Sequence, residues 1–248
     1  VMNTDNMLLS GETIDYGPCA FMDAFDAAMV YSSIDHGGRY AYRNQPHISH
    51  WNLSVLAQAL LPLLDDDPEK ALASGQAAID AFPARYMTAY QDGMLEKLGL
   101  QGKKTDDDVL IQDLLNLMQE ENTDFTLTFR HLADLANPGT PPTETVRSIF
   151  KPPQSFDPWL ERWRQRLGDD PQDVTARQAR MYAINPVYIP RNHLVEEAIE
   201  AATHRDDFGP FNRLVDVLSR PGEFDPANTR FATPPLPEQI VRQTFCGT

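Results

Sequence analysis

From Trp51 onward the apolar residues of this chain recur at intervals of three and four, the spacing that lines one face of an α-helix. Leu53, Leu56, Leu60 and Leu64 form the first such row, with the strong helix formers Ala57 and Ala59 between them. Pro62 near its end is predicted to kink or stop the helix, because proline lacks the N–H that would bond four residues back. A second helix is predicted over Pro68–Phe82, opening with proline in its first turn, and a third over Ala84–Leu98 with Gly99 as its stop.

The pattern continues through the second half. Thr105-Asp106-Asp107-Asp108 reads as a capping box whose acids also favour the positive end of the helix dipole, and Ile111, Leu114, Leu115 and Met118 mark the buried face that follows. A helix is expected over Phe125–Leu135, ending at Asn137-Pro138-Gly139, and others near Pro158–Leu167, Asp173–Tyr182, Asn192–His204 and Gly209–Leu218. Pro138–Pro142 and Pro152-Pro153 read as breaks, and Pro221–Pro237 as an irregular, proline-rich tail. On the helix near Trp159 and Trp163, the tryptophans are expected in the core and Arg162, Arg164 and Arg166 in solvent, in preference to a stacking surface for a basic-face ligand. Residues 1–50, rich in Gly, Asp, Asn and Tyr, read as loops and short strands. The predicted class is mainly α, with few short strands near the N-terminus.

A chain of 248 residues suffices for one large domain or two small ones. A formal charge of −15 argues against nucleic acid or an anionic membrane as partner, although a local Mg²⁺ can still seat a nucleotide. No apolar run approaches the roughly 18 residues of a membrane span, and Val1-Met2-Asn3-Thr4-Asp5 lacks the basic and apolar regions of a signal peptide. The abrupt start at Val1 reads as a piece of something longer. Two cysteines, Cys19 and Cys246, fit a reducing compartment, with the cytoplasm as default.

Residues 1–18 carry the residue types of metal-assisted phosphate chemistry. Such chemistry needs hard oxygen ligands for Mg²⁺ and a base that accepts a hydroxyl proton. Asp5-Asn6 and, nine positions on, Asp15-Tyr16-Gly17 supply them. Met7-Leu8-Leu9 and Glu12-Thr13-Ile14 read as two short strands around Ser10-Gly11 that bring Asn6 and Asp15 side by side. Asn-Thr-Asp-Asn and Asp-Tyr-Gly-Pro are also ordinary turn sequences, so spacing alone leaves both readings open. His47 and His50, with Asp35 and His36 nearby, form no recognised ligand set, and Pro46 points to a loop there. Asp65-Asp66-Asp67 and Asp106-Asp107-Asp108 read as a turn and a helix start in preference to Ca²⁺ sites.

Taken as a run, Val1-Met2-Asn3-Thr4-Asp5-Asn6-Met7, Thr13-Ile14-Asp15-Tyr16-Gly17-Pro18 and Phe21-Met22-Asp23 resemble the signature of the selenoprotein O (YdiU-type) protein adenylyltransferases. The likeness continues in Asp35-His36-Gly37-Gly38-Arg39-Tyr40-Ala41, Asn44-Gln45-Pro46, Trp51-Asn52-Leu53, Asn185-Pro186, Arg191-Asn192-His193 and the ending Thr244-Phe245-Cys246-Gly247-Thr248. The resemblance implies a protein-kinase-like C-lobe over residues 1–137 and an α-helical C-terminal extension over 138–248. It implies transfer of AMP from ATP to Ser, Thr or Tyr hydroxyls of protein substrates. Asp5 would accept the proton, Asn6 and Asp15 would hold Mg²⁺ (or Mn²⁺), and Asp15 would contact the nucleotide through the metal. The family's Gly-rich nucleotide loop and its paired Lys and Glu have no counterpart between Val1 and Thr248, so this polypeptide alone is expected to be inactive. Some members regulate themselves through a C-terminal disulfide; by that likeness Cys19 and Cys246 are either a redox tether or two unrelated thiols, Tyr31 taking the place of the usual family cysteine. Transfer of the γ-phosphate and a non-catalytic helical module are the rival functions.

Overall fold

The computed structural model describes residues 1–2, 4–12, 17, 19–137 and 149–245, the side chains of Asp5 and Pro153 excepted. It is mainly helical, and among the described residues no run of β-strand forms. Ala24 and Asp124 make an isolated antiparallel bridge. Of the expected strand Met7–Leu9, Met7 occupies a β-bridge position, while Leu9 and Ser10 form a turn closed by Gly11 N–H donating to Leu8 O at 3.1 Å. Leu9 is 83% exposed, so no buried face selects an extended conformation there. Thr13 and Ile14 of the second expected strand lie outside the described residues. No helix among the described residues is long and apolar enough to cross a membrane.

The chain divides into two compact units. One comprises Val1–Pro18, Ala27–Gln91 and Gln243–Thr248, the other Cys19–Asp26 and Asp92–Arg242. The division expected between residues 137 and 138 opens a stretch, 138–148, that lies outside the described residues.

The first unit is built on α1 (Gln45–Leu64) and α2 (Pro68–Asp80). Helix α1 starts six residues before Trp51 because Pro46 occupies its first turn, where a missing N–H costs nothing. His47 and His50 therefore lie on a helix, not in the expected loop. Pro62 is tolerated two residues before the helix ends at Leu64. Helix α2 is capped by Asp67, whose carboxylate accepts from Glu69 N–H at 3.0 Å. It presents buried Ala71 and Gly75 to α1, and a Cβ on Gly75 would stand 3.4 Å from Leu61. Close approach of the two helices depends on those small residues.

Helix α3 (Phe82–Lys97) ends at Gly99, as its sequence predicts. Gly99 has φ +70°, and a Cβ there would meet Met181 Sδ at 2.5 Å and Arg177 Cγ at 3.1 Å. Gly99→Ala is expected to cost about 1–3 kcal/mol, from left-handed backbone strain and the displaced Met181, as read by urea denaturation. A loss below a few tenths would mean that neither effect is felt.

The core of the second unit lies between α4 (Asp107–Glu121) and α6 (Asp157–Gly168), with α5 (Phe125–Asp134) and α7 (Val174–Ile184) packed together beside it. Leu110, Ile111, Leu114, Leu115 and Met118 are buried, as the periodicity predicts. Phe150, Phe156, Trp159 and Trp163 stack in series at 4.4, 5.6 and 5.9 Å between centroids. The two indole N–H groups donate to Leu110 O (2.8 Å) and Leu98 O (3.0 Å), so the tryptophans are core residues.

Arg166 departs from expectation. It is buried, and its guanidinium grips Asp107 at 2.7 and 3.1 Å and Gly102 O at 2.7 Å. Arg162 does stay exposed, paired with Asp113 at 2.8 Å. The same ion pair overturns the predicted capping box: Thr105 caps nothing, while Asp107 is turned inward and also accepts from Lys104 N–H at 2.8 Å. Burial pushes the Asp107 carboxyl up, but the Arg166 and Lys104 bonds outweigh it and hold the group below the usual carboxylate range.

Helices α8 (Asn192–Arg205) and α9 (Gly209–Leu218) pack as a pair, and the short α10 (Thr229–Ala232) joins a small cluster of Val187, Tyr188, Val217 and Ala232. Residues 21–25 are clamped into this unit. Asn192 donates to Phe21 O (3.1 Å) and accepts from Phe21 N–H (2.9 Å). Phe25 N–H bonds Thr123 O (2.8 Å), and Phe125 N–H bonds Asp23 O (2.7 Å). Fully buried Arg191 bridges the carboxylates of Asp23 and Asp124.

Candidate active site

Within the first unit, the candidate catalytic pair rides on a single 3₁₀ turn, Thr4–Asn6. Asn6 donates its Nδ2 to Val1 O at 3.0 Å, which fixes the amide and leaves Oδ1 as the acceptor, the hard oxygen that Mg²⁺ prefers. To that extent the described residues fit a divalent ion. The Asp5 side chain and all of Asp15 lie outside the described residues, so the expected meeting of Asn6 with Asp15 is not among the observed contacts. Among the described residues, no group of three or more His, Cys, Asp or Glu is placed to hold a metal.

The turn is held from α1. Gln45 Oε1 accepts from Met2 N–H at 3.2 Å, and Asn52 Nδ2 donates to Met2 O at 2.7 Å and contacts Met7 Sδ at 2.8 Å. Neither Gln45 nor Asn52 stood out in the sequence beyond the family-like runs that contain them. The signal was there: two polar residues seven apart fall on one face of the helix.

The neighbouring segment is folded onto the same helix end. The Asp35 carboxylate accepts from Arg39 and Tyr40 N–H, both at 2.8 Å, and Asn44 donates to Gly38 O at 2.7 Å. Gln45 Nε2 reaches Tyr40 O at 2.5 Å, so one side chain ties this turn and the Thr4–Asn6 turn together. The exposed Arg39 guanidinium lies over the Trp51 ring, 5.0 Å from its centroid. His50 Nε2 lies 3.2 Å from Ile79 O, with its ring stacked on Phe82 at 5.4 Å, a structural role as expected.

Burial raises the phenols of Tyr31, to about 12, and of Tyr42, Tyr86 and Tyr90, with neighbouring tyrosines adding to the rise at Tyr42 and Tyr90. They are neutral at physiological pH and serve as packing. Thr244 docks beside Tyr31: Ser33 N–H donates to Thr244 O (2.7 Å), and Thr244 Oγ1 donates to Tyr31 O (2.9 Å). Cys246 lies outside the described residues, so the tether to Cys19 is neither made nor excluded. Burial pushes the Cys19 thiol up, away from a reactive thiolate.

A sequence model of the family described as "Protein adenylyltransferase SelO" matches residues 1–219, the Asp5-Asn6 and Asp15 positions included. This chain belongs to that family. It is 53% identical over its whole length to "Protein nucleotidyltransferase YdiU" of Rhodopseudomonas palustris (strain BisB18), covering 50% of that protein. It is 52% identical to the protein of the same name from Bradyrhizobium diazoefficiens, again across the whole chain and 50% of the relative. Against the Rhizobium johnstonii protein of that name the identity is 51%, over 49% of its length. The chain therefore spans about half the length of the curated SelO-family relatives it matches.

Proposed function

We propose that this chain carries the metal-binding half of a protein nucleotidyltransferase that moves AMP from ATP to Ser, Thr or Tyr hydroxyls of proteins. In this reading residues 1–137 are a kinase-like C-lobe and 138–248 a helical extension, working in the cytoplasm. The observation that carries the reading is family membership across the Asp5-Asn6 and Asp15 positions, together with an Asn6 amide oriented with its oxygen available.

Asp5 takes the proton of the attacking hydroxyl. The hydroxyl oxygen bonds to the α-phosphorus, the bond from that phosphorus to the bridging oxygen breaks, and pyrophosphate leaves. Asn6 and Asp15 would hold Mg²⁺ (or Mn²⁺), which would supply neutralisation of the phosphate charge. With a net charge of −15 the chain has no electrostatic use for nucleic acid or an anionic membrane.

Intact-mass analysis of a protein acceptor, after incubation with the full-length enzyme, ATP and Mg²⁺, tests the assignment. AMP adds about 329 mass units and phosphate about 80, from the groups transferred in the two chemistries. A gain of about 329 is expected; a gain of about 80 would transfer the site to γ-phosphate chemistry. The 248-residue chain alone, which contains no Gly-rich phosphate loop, is expected to add neither.

A further inference from the structure

We infer that Gln45 and Asn52 are positioning residues for the Thr4–Asn6 turn, acting through the backbone of Met2 and the side chain of Met7; the inference rests on the adenylyl-transfer reading of that turn. Residues 45 and 52 are two helical turns apart on α1, which sets their side chains one above the other on one face. Both polar backbone groups of Met2 are taken by this pair, its N–H by Gln45 and its carbonyl by Asn52. The same Asn52 amide nitrogen contacts Met7 Sδ at 2.8 Å. Met2 precedes the turn and Met7 follows it, so a single side chain clasps both of its ends.

Burial and rigidity give the clasp its force. Asn52 is 6% exposed, and its Oδ1 is buried without a hydrogen-bond partner among the described residues. Asparagine is a weak helix former, and an orphaned carbonyl adds a further penalty. Leucine at this position would serve helix and core better, so stability does not account for the residue, whereas the bond to Met2 O does. Helix α1 is braced by α2, making it a fixed frame, while the described residues of the segment 1–7 contain no regular structure longer than three residues. A loop of that kind holds Asp5 and Asn6 in register only as well as its anchors do. In an enzyme of this chemistry, a displacement of about 1 Å costs on the order of 10²-fold in rate.

The test uses the full-length protein. Asn52→Leu, which removes the clasp and puts a better helix former in its place, is expected to lower kcat for AMP transfer about 10- to 100-fold, with KM for ATP changed less than about threefold. Gln45→Met is expected to behave similarly, and Gln45→Glu, which keeps the acceptor for Met2 N–H, to recover most of that loss. Ser54→Ala removes a hydroxyl that, among the described residues, bonds within α1 to His50 O, and controls for general weakening of the helix. Amide exchange at Met2 and Met7 should rise about tenfold in Asn52→Leu and stay unchanged in Ser54→Ala.

Unchanged exchange at those amides, or a kcat for Asn52→Leu within about threefold of wild type, overturns the inference. So does a rate loss matched by Ser54→Ala. A wild-type enzyme that transfers no AMP would instead remove the functional reading, and exchange at Met2 and Met7 would still decide whether α1 fixes the turn.

Discussion

Asp15→Ala in the full-length protein is expected to lower the rate of AMP transfer about a thousandfold or more, on the order of 4 kcal/mol in the barrier. The size follows from what a divalent ion does in phosphate chemistry. When bound, such an ion would neutralise charge that grows on the phosphates in the transition state. Asn6 offers a neutral amide oxygen, so Asp15 is the one anionic group among the two assigned ligands. In the proposed site, removing it would take away both a ligand and the charge that draws the ion in. Initial rates of transfer of labelled AMP, measured across a Mg²⁺ titration, check the point. Activity within tenfold of wild type at ordinary Mg²⁺ would remove Asp15 from the metal site.

The second large effect concerns stability. Arg191→Met is expected to destabilise the protein by about 3–5 kcal/mol at neutral pH, because the substitution leaves two carboxylates facing each other without their shared cation. Arg191 is fully buried, and its Nη1 reaches Asp124 Oδ2 at 2.8 Å as well as Asp23 Oδ1. Asp124 has a second task, since its Oδ1 caps α5 through Leu127 N–H at 2.8 Å. Burial already raises the Asp23 carboxyl, with the charge and hydrogen bond of Arg191 opposing that rise and nearby Asp124 adding to it. In the variant the opposition is gone and the group rises further.

The sign of the pH dependence is then determined. A carboxyl whose folded value lies above its unfolded one, about 3.9, contributes stability at low pH that is lost as pH rises through the folded value. The deficit of Arg191→Met should therefore be largest near pH 7 and shrink as the pH falls toward about 4. Urea denaturation at pH 7 and pH 5 reads both the size and the trend. A loss below about 1 kcal/mol, or one equal at the two pH values, would count against the Arg191–Asp23–Asp124 triad as described.

How far the fold could be read from residues depended on whether a residue's partner was close in sequence. Helices α1 to α9 are legible in the sequence, α1 and α4 from their apolar spacing, and some ends follow from local chemistry: Pro68 in the first turn of α2 and Gly99 as a stop after α3. The errors have separate causes. Thr105 looks like a cap and Arg166 like a solvated base only until α6 brings Arg166 against Asp107, a residue 59 positions away that then abandons the helix-end role. Pro46 was read as a loop former by its reputation in turns, whereas in the first turn of α1 it is a helix starter. Met7–Leu9 carries strand-like residues, but beyond the single bridge position at Met7 the chain turns at Leu9, whose side chain is left exposed.

The same division applies to the site. Sequence by itself determined that Asp5, Asn6 and Asp15 have the donor types for metal-assisted nucleotidyl transfer, and that the chain belongs with the SelO proteins, because motif chemistry is local and survives reading in one dimension. Tertiary structure alone decided that Gln45 and Asn52 hold the turn carrying Asp5 and Asn6, and that Arg191 joins Asp23 to Asp124 across 168 and 67 positions of chain. Those assignments depend on which buried donors meet which acceptors, and hydrogen bonds between distant segments leave no periodic trace in a sequence.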